Sequence, residues 1–330
     1  MKKIFVAMLA LAAATACSNE DIVSVNQEAI AFDNAFVNNS TRIVDPSLTT
    51  ETLKTNGFGV YGFVTGTETA PIFENEQVYW KGSAWTHSTV QYWIEGAKYN
   101  FAAVAPYNAY TNVTAATTGL SLQFTNNGTT DLIYAQPDAI TGLKSGNTAV
   151  AFNFKHVLSK VKFTFKNAYL ATDSHIVVKA ISITDADEVA TVALSATNAG
   201  HDVTAAWTNA NDKALTLAFG DAGKIEQTDA DGAECANELF LIPSEARAYT
   251  VTYTVELYIS EKLIDTYTHT ATVTFAPAAG CSYNLTATID AENLDPEHAQ
   301  EAIEFTVTSI GGWDTDHNDD GEDNDETTIL

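Results

Sequence analysis

Along most of the chain, apolar and polar residues alternate one by one, the period of a strand with one face against a core. Ile30, Phe32 and Phe36 fall on one face of a first short strand. Phe58, Val60 and Gly62 share a face of the next, with Tyr61 and Phe63 on the other. Between Asn75 and Tyr107 a meander is predicted. Val78 with Trp80, then Trp85, then Tyr92 with Ile94, then Tyr99 with Phe101 and Ala103 lie on successive strands, and Gly82 and Gly96 mark turns. Leu120–Phe124 and Leu132–Ala135 add two more.

A second unit begins near Val150, where Phe152, Phe154, Val161, Phe163 and Phe165 recur at strand spacing. His156–Ser159 reads as a short helical or bulged interruption. The runs HIVVKAISIT, EVATVALSA, ALTLAF, NELFLIPS, AYTVTYTVELYIS, LIDTYTHTATVTF and SYNLTATID follow, separated by turn residues. Such spacing fits an all-β sandwich. Glu304–Ser309 alternates around Phe305 and Val307 and predicts a last strand. No stretch shows the period of an amphipathic helix of normal length. Residues 314–326 are acidic and lack an apolar pattern, so they are expected to be solvated.

The N-terminus follows a different pattern. Lys2 and Lys3 precede the apolar run Ile4–Leu11, and small residues follow to Ala16. This is the layout of a secretory signal. It falls short of the about 20 apolar residues that a membrane span needs. Cys17 after Ala14-Thr15-Ala16 resembles a bacterial lipobox, although Ala14 stands where a large aliphatic residue is usual. That resemblance implies a diacylglycerol thioether on Cys17, cleavage before it, and Ser18 directing the protein to the outer membrane. Acyl chains contribute about 0.8 kcal/mol per buried methylene and would anchor the chain durably.

The 330 residues carry a formal charge of −26. A field of that sign repels phosphate backbones, which argues against nucleic acid as a partner. The length exceeds one typical domain and predicts two. The expected division is a signal at 1–16, a tether at 17–28, sandwiches at 29–149 and 150–313, and an acidic tail at 314–330. Cys235 and Cys281 are read as two thiols, with a disulfide as the alternative an exported chain permits.

Chemistry-bearing motifs are sparse. G-x-S-x-G, H-E-x-x-H, C-x-x-C and a phosphate-cradling glycine loop are all missing from the sequence. The expectation is a non-enzyme without catalytic residues or cofactor. Asp316, Asn318 and Asp320, followed by Gly321, match the first half of a calcium loop, but Thr327 stands where the bidentate Glu belongs. This makes them a weak calcium candidate and otherwise a charged tail. Trp80, Trp85, Tyr92, Trp93 and Tyr99 form a candidate sugar-stacking platform, weighed against a place in the core.

Several segments, in order, resemble one family: CSNED, AIAF, Ser40-Thr41-Arg42, VYW, YNFAAVAP, FNFKHVLSKVKFTF, CSYNLTATI and IEFTVTSIGGWD. Together they are similar to the fimbrillin-like lipoproteins of the Bacteroidota. The resemblance implies two β-sandwich domains of transthyretin-like topology and a pilus subunit at the cell surface that reaches the outer membrane as a lipoprotein. It implies proteolytic processing after Arg42, loss of a first strand at about 29–36, and filling of the vacated groove by a strand of another subunit. Residues 302–310 or the end Thr328-Ile329-Leu330 are the candidate donors. The partners implied are other pilus subunits, a membrane before processing, and surface ligands of host or bacterial cells. A glycan-binding surface lipoprotein and a non-polymerising adhesive tip subunit are the competing readings.

Overall fold

The alternating pattern becomes strands almost throughout. The computed structural model describes residues 28–37, 49–197, 202–209, 214–295 and 303–312. In chain order the elements of the first half are β1 (Phe32–Val37), helix α1 (Thr50–Asn56), β2 (Phe58–Thr65), β3 (Thr69–Trp80), β4 (Trp85–Thr86), β5 (Lys98–Ala105), β6 (Tyr110–Ala116), β7 (Gly119–Thr125), β8 (Ile133–Ala135), β9 (Ile140–Thr141) and β10 (Val150–His156). The second half holds β11 (Ser159–Asn167), β12 (Ser174–Asp187), β13 (Val189–Thr197), β14 (Asp202–Asn209), β15 (Ala214–Gly220), β16 (Gly223–Glu226), β17 (Ala233–Glu234), β18 (Leu239–Leu241), β19 (Arg247–Ile259), β20 (Lys262–Phe275), β21 (Cys281–Ile289) and β22 (Phe305–Gly312).

Four sheets result. The largest runs β1-β10-β8-β5-β2-β3-β4, with β9 on β5. Its two faces are both covered: Phe58 and Val60 enter one core with Phe101 and Phe152, and Tyr61 enters another with Val104 and Tyr134. The sheet β14-β13-β7-β6 closes that second core through Leu122, Phe124 and Val192. The sheets β17-β11-β21-β22 and β15-β12-β19-β20 enclose the third, built on Phe163, Phe165, Tyr253 and Leu285. Strand β19 alternates buried and half-buried residues, as expected for one solvated face. The fold is all-β, as the alternation predicts.

Hydrogen-bonded pairing crosses residue 150 twice. Strand β10 belongs to the largest sheet through β8 and β1. Strand β13 pairs with β7 from Val189↔Thr125 to Leu194↔Leu120. Between β10 and β11 only Val157 and Leu158 intervene, and both are fully buried. The interruption expected at His156–Ser159 is this step from one sheet to the next.

Several local expectations are corrected. Phe36 does not share the face of Ile30 and Phe32: a register shift between Asp33 and Phe36 turns it outward, 43% exposed, and buries Ala35 and Val37 instead. One extra residue at a bulge reverses the facing of all that follow. Tyr92 and Ile94 do not lie on a regular strand. They sit in a loop whose sole ladder contact is the bridge Ala29↔Tyr92. Helix α1 is too short for a period to show. Thr49 and Thr52 cap it reciprocally, and Leu53 is its one buried side chain.

Candidate functional site: the groove filled by the first strand

Residues 28–37 lie in a groove of the largest sheet, tied down on both sides. Strand β1 runs parallel to β10, in the register Phe32↔Val150 and Val37↔Phe154. The Val150 N–H donates to the Ala31 carbonyl at 2.8 Å. On the other side the Ile30 N–H donates to the Gln91 carbonyl at 2.8 Å, and the Trp93 N–H to the Glu28 carbonyl at 3.0 Å. The carbonyl of Ile30 accepts from His87 Nε2 at 3.2 Å. At the far end, the Val37 N–H donates to Thr50 Oγ1 of α1 at 3.1 Å.

The groove floor is aromatic. Ile30 and Phe32 are 1% and 3% exposed. The Phe32 ring lies 5.4 Å from Phe73, 5.7 Å from Phe152, 6.0 Å from Phe101 and 4.9 Å from His87, centroid to centroid. These are edge and tilted contacts, the favoured geometry for ring pairs. Phe73 sits on β3, Phe101 on β5 and Phe152 on β10, so one side chain of β1 joins three strands.

A carboxylate fixes the entrance. Glu28 accepts from the N–H of Gly146 at 2.8 Å, the N–H of Asn147 at 2.7 Å and Asn147 Nδ2 at 2.8 Å. Asn147 also bridges the N–H and carbonyl of Leu143, which holds the loop in shape. Gly146 has φ +79°, a conformation that favours glycine. The Gly146 N–H, then the side chain and N–H of Asn147, hold the Glu28 carboxyl below its usual range against the opposing effect of burial. None of Glu28, His87, Gly146 or Asn147 stands out in the sequence. A charge before an apolar run is an ordinary surface feature, and Glu28 and Asn147 lie 119 positions apart.

The other candidates fall as follows. Cys17, Arg42, Asp316, Asn318 and Asp320 lie outside the described residues, which end at Val37 and resume at Thr49 around Arg42. Among the described residues, no group of three or more His, Cys, Asp or Glu side chains is placed to hold a metal ion. No helix among them is long and apolar enough to cross a membrane. The aromatic platform does not form. Trp85, Trp93 and Tyr99 are buried, Trp80 packs edge-on against Trp85 under Lys54, and Tyr92 alone of the five is exposed. No disulfide joins Cys235 to Cys281. The Cys235 thiol accepts from the Phe163 N–H and donates to the Asn237 carbonyl, and burial raises its pKa. Arg247 is structural: it pairs with Asp187 at 3.0 Å and lies over the Tyr249 ring at 4.4 Å.

An all-β chain whose first strand fills an aromatic groove from the sheet edge is what the geometry defines. The chain belongs to the fimbrillin-like family, whose model matches residues 41–313. Among solved structures it is similar to a fimbrial protein from Bacteroides vulgatus, at 17% identity and a TM-score of 0.62, covering 86% of this chain and 99% of that one. It is also similar to proteins described as candidate cell adhesion proteins from Bacteroides uniformis (19% identity, TM-score 0.47, 86% and 98% covered) and Bacteroides ovatus (15%, 0.48, 88% and 99%). No curated protein matches the chain.

Proposed function

We propose that this protein is a structural subunit of a cell-surface pilus, assembled by protease-triggered strand exchange and supporting adhesion. On this reading residues 1–16 are a signal, Cys17 carries the lipid that delivers the chain to the outer membrane, and 17–28 are a tether. Cleavage after Arg42 then releases anchor, tether and β1 together. The two sandwiches, of transthyretin-like topology, form the body of the subunit, and residues 314–330 a solvated tail.

The observation that carries the reading is the placement of β1. It is an edge strand laddered to β10 alone, yet its Phe32, Ala35 and Val37 are buried, as is Ile30 just before it. Its removal would uncover Phe73, Phe101 and Phe152 and leave the edge of β10 unpaired. An added strand repairs both defects at once. The family model and the fimbrial relative from Bacteroides vulgatus support the same role. The burial of Trp85, Trp93 and Tyr99 removes the support for a glycan platform.

Limited trypsin digestion followed by sizing tests this reading. The expected result is cleavage after Arg42 and the appearance of ladders, with Arg42→Ala giving neither. Ladders from Arg42→Ala would overturn the protease trigger. Clean cleavage that yields monomers alone would favour a tip subunit that accepts a strand and donates none.

A further inference from the structure

The groove has a second matching segment within the chain. Residues 27–32 read Gln-Glu-Ala-Ile-Ala-Phe, and residues 300–305 read Gln-Glu-Ala-Ile-Glu-Phe. The two differ only at Ala31 and Glu304, and both of these are exposed. The residues that matter to a groove are therefore identical, and the solvent-facing one is free to vary. The surroundings match as well. Phe32 packs on Phe152 of the run Phe152-Asn153-Phe154-Lys155 at 5.7 Å. Phe305 packs on Phe163 and Phe165 of the run Phe163-Thr164-Phe165-Lys166 at 5.6 and 5.8 Å. One apolar key thus occurs twice, each time with its Phe ring on the rings of an F-x-F-K strand, although β1 pairs directly with β10 and β21 lies between β22 and β11.

Both copies lie at the edge of a sheet. Strand β22 ends its sheet and is hydrogen-bonded to β21 alone, so it can leave without unpairing any other strand. The groove also has a polar requirement. With Glu28 removed, the N–H groups of Gly146 and Asn147 and the Asn147 amide lose their acceptor. A newcomer that leaves them empty forfeits charge-assisted hydrogen bonds.

We propose that residues 300–307 of a second copy of this chain enter the groove in the register of residues 27–34. Glu301 takes the donors of Gly146 and Asn147, Ile303 the place of Ile30, and Phe305 the place of Phe32 among Phe73, Phe101 and Phe152. The strand runs parallel to β10. This proposal rests on the strand-exchange reading, chooses between the two donor segments that the family resemblance implies, and adds to it the register and a carboxylate seat. The extreme C-terminus is a poorer key. Placing Glu326 on the seat puts the polar Thr328 where Ile30 lies and Leu330, without an aromatic ring, where Phe32 lies.

The test uses the full chain, cleaved by limited trypsin digestion, with synthetic peptides as competitors of ladder growth. A peptide of residues 299–308 is expected to suppress ladders. Its Glu301→Gln form should be about tenfold weaker, the scale of a charge-assisted bond. A peptide of residues 321–330 should not compete. Separately, Val150→Cys with Phe305→Cys, in a Cys235→Ser and Cys281→Ser background, should give a reducible intersubunit cross-link, because Val150 faces Phe32 in the ladder. If ladders form but the terminal peptide suppresses them and the 299–308 peptide does not, this register is wrong and exchange stands. If the Glu301→Gln peptide competes equally, the carboxylate seat is wrong. If cleavage after Arg42 yields monomers alone under every condition, this chain donates no strand and the proposal is overturned, whereas the groove's capacity to accept one is left to the tip reading.

Discussion

Truncating Phe32 to alanine should loosen the first strand without unfolding the rest. Phe32 is 3% exposed and meets four rings, so its removal takes away the largest side chain that β1 buries. Buried Phe→Ala changes cost about 3–5 kcal/mol. An edge strand can settle into part of the space, which places the expected value near 3 kcal/mol. At 1.4 kcal/mol per decade, the population in which β1 has left the groove rises by about 100-fold. The amide of Val150 reports this event directly, because its hydrogen bond is to Ala31. Hydrogen exchange at Val150, Trp93, Gly146 and Asn147 should accelerate together by that factor. Amides of β12 and β19 should keep their rates, since their ladders lie in another sheet. Equal acceleration in β19 and at Val150 would refute the argument, because β1 would then open only when the whole chain unfolds.

Two further outcomes follow from the same geometry. The Glu28 carboxyl is held below its ordinary range, so its contribution is complete above about pH 4.3 and is lost as pH falls through the lowered value. Exchange at Gly146 and Asn147, corrected for intrinsic rates, should therefore rise in acid, whereas Glu28→Gln should show faster exchange at neutral pH and no acid step. Gly119→Ala should destabilise the joint between β7 and β13. The added Cβ would stand 2.1 Å from the Leu194 carbonyl oxygen at φ +148°, an overpacking that costs about 1–3 kcal/mol or more, and an unchanged melting temperature would contradict that close approach.

Strands with a strong apolar face were legible because burial enforces the period: β19 and β21 follow it over most of their length. Strands β6 and β14 gave little signal. They are the two edges of their sheet, and Tyr110 is the one fully buried side chain of β6. An edge strand with one weak face can be built from Thr, Asn and Ala. The bulge that turns Phe36 outward is a backbone event and leaves no mark on the alternation. The groove was half legible. Ile30 and Phe32 announced a strand, but its neighbours come from β10 and from the loop around Gln91. Contacts of that span are set by topology and not by local pattern. Likewise, the aromatic run from Trp80 to Tyr99 reads the same on paper whether it faces a sugar or a core.

The buried step at Val157 and Leu158 has a mechanical consequence. Two bodies joined by a solvated linker bend freely about it. Here the linking residues are fully buried, the Asp131–His156 contact of 2.7 Å is buried beside them, and β13 is zipped to β7 over six register pairs. Bending at this point would have to shear a ladder and open a packed interior. Tension applied along the chain therefore passes through hydrogen-bonded strands working in parallel instead of through one backbone. A fibre made of such units would owe its compliance to the contacts between neighbours, and its stiffness to each unit.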